Sequence, residues 1–98
     1  MIIVLAKVSP KQGMKDSILE ESKDLIEKTR AEKGCIEYNL FDSTDDDSSL
    51  LFVEKWENKD DLKSHLTQDH FINFGSNTKD FLAKDLEITV YSAEETEL

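Results

Sequence analysis

The chain has 98 residues, 38% hydrophobic and 35% charged, the size and balance of one soluble globular domain with a small core. Its net charge of −10, from 22 acidic and 12 basic side chains, withholds the basic footprint that nucleic acids and anionic membranes require. No apolar run approaches a bilayer span, no basic segment precedes the apolar N-terminus, and the lone Cys35 precludes an intrachain disulfide, so the expectation is a cytoplasmic protein.

Ile2 to Val8 reads as a strand, apolar on both parities: Ile2, Val4, Ala6 and Val8 on one side, Ile3 and Leu5 on the other. Ser9 to Gly13 is a turn. From Met14 to about Lys33 the period becomes helical, with Met14, Ile18, Leu25 and Thr29 on one stripe that Leu19 and Ile26 broaden. Gly34 suits the position just past the helix end. Cys35 to Asp42 is a second strand, with Ile36, Tyr38 and Leu40 alternating against Glu37, Asn39 and Phe41. Cys35 itself fits a small buried hydrophobe.

Ser43 to Ser49 is a polar hairpin loop. Its run Asp45, Asp46 and Asp47 lacks the spaced ligands and glycine turn of a calcium loop, so no metal is assigned there, and solubility is the expected role of the acid. Leu50 to Trp56 is a third strand. Asn58 suits an N-cap, with Asp61 three residues on, and opens a short helix from Asp60 to Leu66. Thr67 to Asp69 interrupts it with a fresh cap, and a further helix runs from about His70 to Leu82. Leu86 to Ser92 is the last strand. Residues 1–92 form the domain and 93–98 an acidic tail.

The order strand, helix, strand, strand, helix, strand predicts an α+β protein of the ferredoxin-like split β-α-β plan, a four-stranded antiparallel sheet with helices on one face. The first and third strands are apolar on both faces, and helices on one side cover one face. The other would expose a contiguous apolar patch, which predicts a homodimer through the sheet face opposite the helices.

Both histidines and the single tryptophan fall between Glu54 and Phe74. Glu54 and Trp56 share a strand face with Leu50 and Phe52, so they face the helices. A carboxylate there needs a partner or water, and a structural ion pair answers that need as well as a site does. Trp56 suits core packing as well as a cofactor wall. His65 and His70 are five residues apart, roughly 140° on one continuous helix, and so would not share a face, although the break at Thr67 to Asp69 could re-aim one. His65, seated with Leu62 and Leu66, could point inward. His70 opens the next helix, where the dipole disfavours an imidazolium and favours the neutral, proton-accepting ring. Surface or capping roles fit both equally. No third ligand stands at convincing spacing, so no zinc motif is assigned. Glycine-rich phosphate loops and Ser-His-Asp arrangements are also missing.

The stretches Glu32-x-Gly34-Cys35-x-x-Tyr38, Phe52-x-Glu54-x-Trp56-x-Asn58, Leu62-x-x-His65, His70-Phe71 and Phe81, in this order and spacing, resemble the antibiotic biosynthesis monooxygenase domain, of the dimeric α+β barrel superfamily, over about residues 2–91. The resemblance implies a homodimer with a pocket between helices and sheet in each subunit. It also implies small hydroxylated aromatic or quinol-like substrates and no cofactor, the deprotonated substrate itself passing an electron to dioxygen. Carried over, Trp56, Phe52, Phe71 and Phe74 would line the pocket, with Tyr38 lining it or hydrogen-bonding. His65 or His70 would be the base or orienting group, and Glu54 would hold one of them.

The haem-degrading relatives use an Asn on the first strand, a Trp, which this chain keeps as Trp56, and a His within the helix after it. This chain has Ala6 and Lys7 near the Asn position and Gly75 near the His position, which counts against haem. An isomerase that processes a phosphorylated autoinducer resembles it in histidines like His65 and His70. Proton-transfer chemistry of that kind and non-catalytic binding of a small molecule are therefore the alternatives.

Overall fold

The computed structural model describes residues 1–46 and 48–98. The aspartate run considered above as a calcium loop includes Asp47, which lies outside the described residues. Strand β1 (Ile2–Val8) lies at the centre of an antiparallel sheet with β2 (Cys35–Asp42), β3 (Leu50–Trp56) and β4 (Glu87–Ser92), in the order β2-β3-β1-β4. Helices α1 (Lys15–Arg30), α2 (Lys59–His65) and α3 (Asp69–Thr78) complete the expected α+β, ferredoxin-like arrangement.

Helix α1 begins after Gly13, whose positive φ of 80° turns the chain. Asp16 in its first turn and Lys28 and Arg30 in its last complement the helix dipole. It buries Ile18, Ser22, Leu25 and Thr29 against the sheet. Past its end, Gly34 takes a φ of 81°, and its carbonyl accepts from the Glu57 amide at 2.9 Å, fastening the turn to the end of β3. A Cβ at Gly34 would overlap the Asp61 carboxylate, so glycine serves twice there.

Asn58 caps α2 as expected, its side chain accepting from the Asp61 amide at 2.9 Å. The next helix restarts differently. Its cap position is Gln68, whose side chain makes no capping bond, and the Thr67 hydroxyl turns back onto the Ser64 carbonyl at 2.7 Å. Helix α3 also stops at Thr78 rather than Leu82. There the Thr78 hydroxyl donates to the Phe74 carbonyl, and a 3-10 turn, Lys79–Phe81, follows. Backbone bonds from Lys11 to Phe81 and from Ala83 to Ser9 pull that turn onto the loop after β1.

A bulge in β2 corrects its expected face assignment. Cys35 pairs with Trp56 and Glu37 with Lys55, so Ile36 is the extra residue and stands 49% exposed. Tyr38 stays on the inner face opposite Glu54 and is buried. The inner residues of β1 and β3 are buried, while Ile3, Leu5, Leu51 and Val53 on the outer face are half-buried. Among the described residues no helix is long and apolar enough to cross a membrane.

Candidate functional site

A cavity of about 120 Å³ lies between the inner sheet face and the helices. Val4 and Ala6 of β1 and Phe52 of β3 form its floor, Leu25 of α1 one wall, and Leu62, Phe71 and Phe74 the roof. Three titratable side chains reach this apolar lining: Tyr38, Glu54 and His65. Strand β4 supplies Ile88 and Val90, the inner-face partners of Ala6 and Val4. Both are about half exposed, since the helices do not extend over β4, and this leaves an apolar flank of the cavity towards solvent.

Phe52, Phe71, Phe74 and Tyr38 thus reach the cavity, and Phe52 meets Phe74 edge-on with ring centroids 5.8 Å apart. Trp56 does not line it. It is wholly buried behind His65, with ring centroids 4.8 Å apart, and its Nε1–H donates to Glu54 Oε1 at 3.0 Å. The expected bond between Glu54 and a histidine is therefore replaced by one to Trp56, the neighbour on the same strand face. Burial pushes the Glu54 carboxyl up to about 7; the Trp56 donor opposes this, and the negative Glu32 adds to it. Near neutral pH Glu54 is thus poised to give or take a proton. Burial, with help from Glu54 and Glu32, also raises the Tyr38 hydroxyl, which stays a neutral donor. The Cys35 thiol, raised to about 11 chiefly by burial, stays protonated.

The histidines meet, contrary to the reading from their spacing. Helix α2 ends at His65, residues 66–68 redirect the chain, and α3 starts at Asp69. No single helix then relates the two rings. His65 Nδ1 and His70 Nε2 both contact Glu32 Oε2, each at 2.7 Å. An oxygen that receives two ring nitrogens accepts from both, so each ring carries its proton on the nitrogen facing Glu32. His65 is 1% exposed and boxed by Tyr38, Trp56 and Phe71, with ring centroids 4.8 to 5.5 Å away. Burial lowers its pKa against the opposing pull of Glu32, which keeps the ring neutral and leaves Nε2 as an acceptor. His70 is not on the cavity wall and stands at the outer side of Glu32.

Glu32 is a site residue to which no pattern in the amino-acid order assigns a role. It lies 33 and 38 positions from its two partners, so no local pattern announces the contact. Its one signal is its place in the turn beside Gly34. Together Glu32, His65 and His70 present three ligand atoms within 4.8 Å of one another, the set among the described residues able to hold a metal ion.

Residues 1–76 match the family described as antibiotic biosynthesis monooxygenase. The uncharacterized protein sll1783 of Synechocystis is 34% identical over 98% of the chain, which spans 65% of that relative's length. YcnE of Bacillus subtilis, provisionally named a monooxygenase, is 28% identical, over 90% of this chain and 93% of its own. Among solved structures, a conserved protein from Methanosarcina mazei superposes with a TM-score of 0.91 at 30% identity, covering 95% of this chain and 92% of that one.

Proposed function

Because the chain belongs to the antibiotic biosynthesis monooxygenase family, which gives it a monooxygenase-like or small-molecule-binding role, we propose that it is a cofactor-independent monooxygenase acting on a small hydroxylated aromatic or quinol. The observation that carries this reading is His65: a neutral imidazole held by Glu32 on one nitrogen, in the wall of an apolar cavity. A planar phenolic substrate lies in the cavity against Phe52, Phe71 and Phe74, its hydroxyl towards His65. Nε2 takes the hydroxyl proton, and Glu32 stabilises the resulting imidazolium. The electron-rich anion reduces dioxygen: one oxygen atom bonds to a ring carbon in place of its hydrogen, the other leaves as water, and the substrate, oxidised to the quinone level, supplies all the electrons. The apolar lining keeps water from the anion, and the Tyr38 hydroxyl and the protonated form of Glu54 are donors for developing negative charge. His70 fixes Glu32 from the far side.

The catalytic assignment is therefore His65 as base, His70 and Glu32 as positioning groups, and Glu54 as a second acid–base group. Phe52, Phe71, Phe74 and Tyr38 form the substrate wall, with Trp56 behind His65. We also propose a homodimer through the outer sheet face. Half-buried Ile3, Leu5, Leu51 and Val53 form an apolar stripe there, flanked by exposed Phe41 and Tyr91. We further propose residues 1–92 as the domain, 93–98 as an acidic tail, and a cytoplasmic setting.

Oxygen uptake with a panel of quinols tests the activity. His65→Gln should lower turnover about 100-fold or more while Trp56 fluorescence reports an intact fold. Equal turnover in the variant would overturn the base assignment. Proton exchange or isomerisation of the same compounds without oxygen would move the protein to the proton-transfer class.

A further inference from the structure

Three separate elements deliver side chains to one point: Glu32 from the turn after α1, His65 from the end of α2, and His70 from the start of α3. Two imidazole nitrogens aim at a single carboxylate oxygen, each 2.7 Å from it. Two nitrogens and one oxygen form a donor set suited to a borderline divalent transition ion, since calcium and magnesium prefer all-oxygen sites. Ligands about 2.1 Å from a tetrahedral ion stand roughly 3.4 Å apart. The ligand atoms here all lie within 4.8 Å of one another, so a small shift of the two imidazole rings towards each other, with rotation of the Glu32 side chain away from between them, brings them to that spacing. The Glu32 and His70 side chains are 12% and 11% exposed, which leaves a route from solvent.

We propose that Glu32, His65 and His70 form a binding site for one zinc-class divalent ion, behind the wall of the substrate cavity. The ion replaces the two ring protons that face Glu32. Each neutral ring keeps one proton, now on the nitrogen facing away from the ion. For His65 that nitrogen is Nε2, the one that must be unprotonated to act as a base. An occupied site and an active base therefore exclude one another, and the ion is an inhibitor. This consequence rests on the monooxygenase reading; the binding site itself does not.

The test is titration of the untagged, chelator-stripped chain with cobalt(II) chloride. The expected result is one cobalt per chain with visible d–d bands, which zinc then abolishes. His70→Ala and Glu32→Gln should each weaken binding by about 100-fold or more. Zinc should raise the thermal midpoint of the native chain and not that of His70→Ala, a second readout independent of colour and activity. Absence of the bands at millimolar cobalt, or bands that survive His70→Ala unchanged because cobalt sits on surface carboxylates, overturns the site. Zinc bound at this site with oxygen uptake undiminished supports the site and overturns His65 as the base.

Discussion

Replacing Glu54 by glutamine isolates the cost of its burial. In the fold the carboxyl holds its proton to about pH 7, against an ordinary value of 4.5. The unfolded chain releases that proton near the ordinary value, so between these two points the folded state binds more protons. Stability therefore falls as pH rises through this window and levels off above it. A gap of this size corresponds to about 3 kcal/mol in total, of which about 2 to 3 kcal/mol lies between pH 5 and 8. In Glu54→Gln the amide oxygen still accepts from Trp56 Nε1–H, as Oε1 does now, and the side chain has no proton to lose. Any cost of placing the extra amide N–H groups is the same at each pH. Urea unfolding followed by the fluorescence of buried Trp56, at one protein concentration, should show the variant gaining about 2 to 3 kcal/mol on the native chain from pH 5 to 8. Curves that run parallel across this range would refute the desolvation of Glu54, and with it the view that this carboxyl is tuned for proton transfer.

Gly34→Ala should destabilise the fold by about 2 to 3 kcal/mol, since the added Cβ must accept a φ of 81° and displace the Asp61 carboxylate. A drop in thermal midpoint of about 10 °C or more is the readout, and a drop of a degree or two would show that the turn re-forms around alanine. Val53→Asp places a charge at the centre of the outer face, beside Leu5 and Asn39 on the neighbouring strands. Sedimentation should show a dimer in the native chain and a folded monomer in the variant, whereas an unchanged dimer would place the interface elsewhere.

Strand and helix periods follow from local backbone geometry, so they were legible in the amino-acid order. The alternation in Ile2–Val8 and Leu50–Trp56 announced central strands and set Glu54 and Trp56 on the inner face. Asn58 announced its cap and Gly34 its turn, because each answers a demand of nearby backbone. The aromatic wall of Phe52, Phe71 and Phe74 could be drawn from face and family likeness together. Other features needed the folded chain. The β2 bulge depends on how one strand meets another, and the early stop of α3 depends on backbone bonds to the loop after β1. The partner of Glu54 was its own strand neighbour Trp56, because the histidines were already committed elsewhere. Above all, helical spacing assigned His65 and His70 to different faces, and that inference holds only for an unbroken helix. Once residues 66–68 redirect the axis, the two rings are placed by packing rather than by periodicity, and Glu32 from a distant turn meets both. The amino-acid order thus settled the sheet, its buried face and the residue types available for chemistry, all properties of local geometry and side-chain polarity. Which of those residues touch was decided by the docking of three separate elements, a long-range contact that no short pattern encodes.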